Sequence, residues 1–262
     1  MIKLATWIGL TVTAVFLCML IPVQAVHAES AEKVTDFHTS IRIIPNENIM
    51  VQERITFDFG TNERHGIIRE ISKVREDVYG KQVRLSFELM VVTDEQGNAY
   101  KYRDESDADM FRIRVGEIDR TITGSHTYVF HYIVSNVLDR SSNMYLLSWD
   151  INGFGWTVPM EEISAKIRLP AFIDPETVDA SCFTGDFGST ERECSIEQAD
   201  RVISLVTDRA LRSGENMTVV VSFETDQPAV QSAQQMNAIL VVFFIKVPEY
   251  PWLLSLGMNG TP

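Results

Sequence analysis

Residues 49–59, IMVQERITFDF, alternate with a period of two. Ile49, Val51, Ile55, Phe57 and Phe59 share one face, while Met50, Gln52, Arg54, Thr56 and Asp58 share the other. Successive side chains of a strand project to opposite sides, so this pattern predicts a half-buried β-strand. The same period recurs at residues 37–44, 83–92, 110–115, 127–134, 145–151, 163–169, 202–206 and 217–223. Turn-forming residues separate these runs, among them Pro45-Asn46-Glu47-Asn48, Thr123-Gly124-Ser125, Asn152-Gly153 and Ser213-Gly214-Glu215-Asn216. No amphipathic stretch of three helical turns interrupts them. The pattern predicts an all-β fold, an antiparallel β-sandwich of immunoglobulin-like, two-sheet architecture, with a closed barrel as the alternative.

Glu53 breaks the alternation, because it falls on the apolar face between Val51 and Ile55. A lone buried carboxylate is costly, so it should be paired or lie near the end of the sheet. Arg69, in the segment His65-Gly66-Ile67-Ile68-Arg69 read as a loop, is the nearest partner in sequence. Such a pair serves either a binding or assembly site or, more simply, an ion pair that fixes the loop.

The two ends of the chain read differently from the middle. Lys3 precedes an uncharged run of 18 residues (4–21), Pro22 ends it, and Val26-His27-Ala28 supplies small residues at the −3 and −1 positions. Residues 1–28 therefore read as an N-terminal signal helix removed on export, with Val23-Gln24-Ala25 as a second cleavage site and an uncleaved anchor as the alternative. At the other end, residues 238–245, AILVVFFI, give eight apolar residues in a row. As helix they would cover about 12 Å of the ~30 Å a span requires. The segment 227–262 is thus read as a tail with a truncated or degraded anchor, and a fully soluble exported protein is the alternative.

Composition narrows the chemistry. The chain has 262 residues and a formal charge of −13, which argues against nucleic-acid binding through phosphate contacts. Past the signal, the cysteines are Cys182 and Cys194, 12 positions apart with two glycines between them. In an oxidising compartment that spacing suits a disulfide across a turn, and a zinc site is a poor fit without nearby histidine.

Asp104, Asp107 and Asp109 in the acidic segment 104–109 are a weak Ca²⁺ candidate, and a solvated acidic turn is the simpler reading. Asp186-Phe187-Gly188 spells a kinase-like triplet, but no nucleotide loop accompanies it. His126 and His131 are five apart, which puts them on opposite faces of a strand. Trp149, Phe154 and Trp156 around Gly153 and Gly155 could form an aromatic platform for a sugar or peptide, or simply core packing beside a hairpin.

Several longer stretches carry a resemblance. VQERITFDF followed by HGIIREI, then GSHTYVFHYIV, LLSWDINGFGWTVPMEEISAKIRLP and CFTGDFGS, resemble in order and spacing the extracytoplasmic domain of the DUF2207 family, which includes YciQ-like predicted bacterial membrane proteins. The resemblance runs from about residue 34 to 226, so the domain is taken as residues 33–226. It implies a β-rich outer domain that follows a signal peptide and precedes transmembrane helices, and it carries over no catalytic residue. Asp150 stands where the family pattern has Asn after the Trp.

Together these features predict a non-catalytic extracytoplasmic domain of a membrane protein, with a structural or interaction role and no cofactor. It would be membrane-associated through the signal anchor or a missing C-terminal part, or secreted, and its protein partner is not specified. A surface-bound module for glycan, peptide or Ca²⁺ is the alternative, and an exported hydrolase the third reading.

Overall fold

The computed structural model describes residues 31–44, 48–77 and 79–225. The expected signal segment 1–28 and the tail 227–262 lie outside the described residues. The strands are β1 (Lys33–Ile44), β2 (Asn48–Asp58), β3 (Gly66–Ser72), β4 (Val74–Glu76), β5 (Gln82–Arg84), β6 (Ser86–Thr93), β7 (Tyr102–Asp104) and β8 (Met110–Gly116). They continue with β9 (Ser125–Ser135), β10 (Leu138–Ser141), β11 (Met144–Asp150), β12 (Ile163–Arg168), β13 (Asp179–Gly185), β14 (Cys194–Ala199), β15 (Val202–Thr207) and β16 (Asn216–Glu224). Among the described residues no helix is long and apolar enough to cross a membrane.

A seven-stranded sheet runs in the order β14-β15-β12-β1-β2-β9-β6. A four-stranded sheet has the order β10-β11-β16-β13, a three-stranded one β3-β8-β7, and β4 pairs with β5. The expectation of two all-antiparallel sheets is therefore corrected in two respects. There are four sheets among the described residues, and β1 and β12 run parallel, Phe37 opposite Ile163 through Arg42 opposite Arg168. Parallel neighbours need a long crossover, and here the whole chain between β1 and β12 supplies it.

Alternation explains which face is buried. From β1, Phe37, Ile41 and Ile43 point inward; from β2, Ile49, Val51, Ile55 and Phe57; from β9, Tyr128, Phe130, Tyr132 and Val134. They join Tyr145, Leu147 and Trp149 of β11 and Met217, Val219, Val221 and Phe223 of β16 in one continuous hydrophobic core. That burial is the main stabilising term, at roughly 25 cal/mol per Å² of apolar surface removed from water.

Six of the observed strands have no counterpart in the expected pattern, and β3 is the instructive one. Its inward positions are Ile67, Arg69 and Ile71, so the hydrophobic alternation is complete except that its middle member is an arginine. Gly66 and Gly116 face each other where β3 meets β8, at φ +134° and +129°. A Cβ on Gly116 would lie 1.7 Å from the His65 carbonyl oxygen, so only glycine allows this approach of the two backbones.

Candidate functional site

The inward arginine of β3 meets the inward carboxylate of β2. Arg69 Nε donates to Glu53 Oε2 at 2.7 Å and Nη2 to Oε1 at 2.6 Å, a two-pronged contact. Tyr132 of β9 donates its hydroxyl to Glu53 Oε1 at 2.7 Å. Arg69 Nη1 turns the other way and donates to the carbonyl oxygens of Glu70 at 2.9 Å and Asn152 at 2.8 Å. The guanidinium also lies over the Phe37 ring, 5.5 Å from its centroid.

Glu53, Arg69 and Tyr132 are at most 1% exposed. Burial alone would lower the Arg69 guanidinium, but the Glu53 charge and hydrogen bonds overturn that and hold it above its ordinary value. Burial, reinforced by the Glu53 charge, pushes the Tyr132 phenol well up, so it remains a neutral donor.

Asn152, in the loop after β11, extends the network. Its side-chain oxygen accepts from Met217 N–H at 2.9 Å, and its amide donates to the Glu215 carbonyl at 2.9 Å. Its own carbonyl, already bound to Arg69, also accepts from Trp156 Nε1 at 2.9 Å. Asn216 Oδ1 accepts from Gly153 N–H at 2.8 Å, and its amide donates to Asp150 Oδ1 at 2.8 Å. One buried polar cluster thus ties the seven-stranded sheet through β2 and β9, the three-stranded sheet through β3, and the four-stranded sheet through β11 and β16. The expected Glu53–Arg69 pair is present; Tyr132, Asn152 and Asn216 were missed. The signal for Asn152 lay in its place beside Gly153, which sequence reasoning assigned to a turn alone.

A cleft of about 280 Å³ opens beside this cluster, walled by Arg69, Glu70 and Arg75 on one side and Trp149, Asp150 and Phe154 on the other. Arg75 pairs with Asp139, and Arg112 with Glu70, so the rim charges are largely balanced. The Trp149 indole N–H is buried without a hydrogen-bond partner.

The aromatic platform is corrected here. Trp149 and Trp156 are 4% and 8% exposed and belong to the core, Trp156 packing edge-on against Phe37 at 6.0 Å. Phe154 is half-buried and touches exposed Phe187 edge-to-face at 5.6 Å. Burying both indoles contributes more than displaying them, because each carries a large apolar surface.

Cys182 of β13 and Cys194 of β14 form a disulfide. These strands belong to different sheets, so the bond is a covalent link between the edges of the four- and seven-stranded sheets. The acidic segment is held by local turns. Asp104 accepts from Ser106 N–H, Asp107 accepts from Asp109 and Met110 N–H, and Asp109 pairs with Arg84. Among the described residues no cluster of three or more His, Cys, Asp or Glu converges as metal ligands would.

A histidine–serine contact occurs on the outer face of the large sheet, where His38 Nδ1 lies 2.8 Å from Ser164 Oγ and Nε2 3.2 Å from Ser40 Oγ. Both ring nitrogens are occupied by serine hydroxyls, so neither hydrogen-bonds an orienting carboxylate. Burial and nearby Arg54 lower the His38 imidazole.

Comparison with known proteins bears on the chain as a whole. Residues 33–223 match the family described as predicted membrane protein (DUF2207) N-terminal domain. The chain is 22% identical over 175 residues to the uncharacterized protein YciQ of Escherichia coli (strain K12), a match covering 66% of this chain and 28% of that protein. It therefore spans less than a third of that relative's length. Among solved structures, an M1 zinc metallopeptidase from Deinococcus radiodurans is similar at 9% identity and a TM-score of 0.42, over 73% of this chain and 42% of that one. Leukotriene A4 hydrolase from Saccharomyces cerevisiae is similar at 8% identity and a TM-score of 0.43, over 73% of this chain and 29% of that one. At those TM-scores neither likeness bears on the chemistry of this chain.

Proposed function

The chain belongs to the DUF2207 family of predicted membrane proteins, and from that premise we propose that it is a non-catalytic, extracytoplasmic structural or interaction domain. The observation that carries this reading is the saturation of the buried cluster. Both Glu53 oxygens are taken up by Arg69 and Tyr132, so this buried carboxylate is committed to holding the three-stranded sheet against the seven-stranded one. The seven- and four-stranded sheets are read as the two layers of a sandwich about the common core. The signal-like N-terminus and the inter-sheet disulfide support export, since such bonds persist in oxidising compartments.

The experiment is cellular. Full-length protein is followed in spheroplasts by carbonate extraction, external protease and thiol labelling before and after reduction. The expected result is a carbonate-resistant chain that external protease degrades and whose Cys182 and Cys194 label only after reduction. A chain protected from protease, with both thiols free, overturns the reading.

The cleft favours a second reading, a ligand-binding module. Its wall sets the half-buried Phe154 beside Glu70 and Asp150, an apolar ring next to polar groups that could orient a ligand, with Trp149 behind them as a reporter. Titration with peptides or glycans while following tryptophan fluorescence tests it, and a flat response across both classes sinks it.

A further inference from the structure

Although the chain carries −13 overall, the outward positions of β1 and β12 bring three cations together on one part of the seven-stranded sheet's outer face, with Glu197 of β14 further along it. Outward positions of β1 and β12 stand opposite one another in parallel register, Ser40 beside Lys166 and Arg42 beside Arg168. Neighbouring strands lie about 4.8 Å apart, and like charges in facing positions destabilise a sheet unless something offsets them. Burial and the Arg168 charge lower the Arg42 guanidinium. Lys166 and Arg168 are exposed and form no ion pair with another described residue.

Two grooves adjoin this ridge. One, of about 190 Å³, is lined by Arg42, Lys166 and Arg168 together with Gln52, Met50 and Met90, and among the described residues no Asp or Glu lines it. The other, of about 470 Å³, shares Arg42 and Arg168 and adds Leu169, Pro170 and Phe172, the last 43% exposed. Its Asp200 is paired with Arg201. Ile44, Met50 and Ile133 form a small apolar cluster on the outward side, separate from the main core.

We propose that Lys166 and Arg168, beside Arg42, bind the phosphate of an anionic phospholipid headgroup, so that this sheet face rests on the bilayer surface. Lys166 and Arg168, exposed and outside any ion pair among the described residues, match a phosphate with Arg42 beside them, and the flanking Phe172, Leu169 and Met side chains suit the apolar boundary beneath headgroups. The choice of a lipid rather than a soluble anion rests on the membrane-protein reading above; vesicle binding in vitro is independent of cellular orientation, so the two can fail separately.

The test is flotation of the purified full chain with vesicles of phosphatidylcholine alone or with one quarter phosphatidylglycerol. The measured quantity is the increment due to the anionic lipid, which removes any contribution of apolar segments common to both vesicles. The expected result is binding that rises with phosphatidylglycerol, weakens with salt, and falls about 30-fold in the Lys166→Gln/Arg168→Gln double variant. Lys81→Gln, which removes a charge at an exposed site elsewhere, should leave it unchanged. Thermal melting establishes that the double variant, altered only at exposed side chains, is folded. Equal binding to both vesicles, or an unchanged increment in the folded double variant, overturns the proposal. So does inorganic phosphate that shifts groove resonances without any vesicle preference, which would make this a site for a soluble anion.

Discussion

Arg69 of β3 and Glu53 of β2 meet through two parallel hydrogen bonds of 2.7 and 2.6 Å although their strands belong to different sheets. A charge pair at 0–1% exposure has lost nearly all its hydration, so its contribution is to specify where β3 docks rather than to add much net stability.

Arg69→Met alone should cost about 3–5 kcal/mol, because it leaves the Glu53 carboxylate buried without its counter-charge. The Glu53→Met/Arg69→Met double variant should regain a good part of that loss, though not all, since the Glu70 carbonyl loses the Arg69 donor and the Tyr132 hydroxyl its Glu53 acceptor. Urea unfolding of the three variants checks this. A double variant that loses the full sum of the two single losses would show that the pair is not coupled.

Asn152→Ala should cost about 2–6 kcal/mol, because it strands two buried backbone groups, Met217 N–H and the Glu215 carbonyl, at about 1–3 kcal/mol each. Thermal melting followed by tryptophan emission measures it, Trp156 being hydrogen-bonded to the same loop. A variant as stable as the parent would mean that the loop re-pairs those groups.

Reduction of Cys182–Cys194, or Cys182→Ser/Cys194→Ser, should lower stability by about 3 kcal/mol for a loop closed over 12 positions. The comparison is of urea midpoints with and without reductant. If the midpoints coincide, the link between the sheet edges adds no stability.

His131, on the outer face, is lowered by burial to about 4. A ring whose folded pKa lies below its unfolded value near 6.5 takes up its proton more readily when unfolded. Stability is therefore full above about pH 6.5 and declines as pH falls toward about 4, by up to about 3 kcal/mol. His131→Gln should flatten the stability profile across that window. Identical slopes for parent and variant would remove His131 from the pH response.

Gly116→Ala should cost more than 1 kcal/mol through its φ of +129° and its collision with the His65 carbonyl. Calorimetric melting reads the loss. Retention of the parent melting temperature would mean that the end of β3 is free to shift.

Read alone, the sequence determined the class of the protein. A period of two at nine places in the chain can be satisfied only by strands with one buried face, and the Cys182–Cys194 spacing and the inward Glu53 were visible as departures that needed partners. The family resemblance was legible too, because its motifs hold in order along most of the chain. Tertiary structure alone decided that Arg69 lies on a strand, since a charged residue at an inward position erases the hydrophobic signal that marks one. It also decided that Trp149 and Trp156 are core, that Asn152 ties the three-stranded sheet to the four-stranded one, and that Lys166 faces Ser40 and Arg168 faces Arg42. The polar and charged pairings among these join residues 63 to 126 positions apart, and no local period encodes them. Local alternation states which side of a strand is buried, whereas the partner of a buried polar group is set by the packing of strands that meet only once the chain has folded.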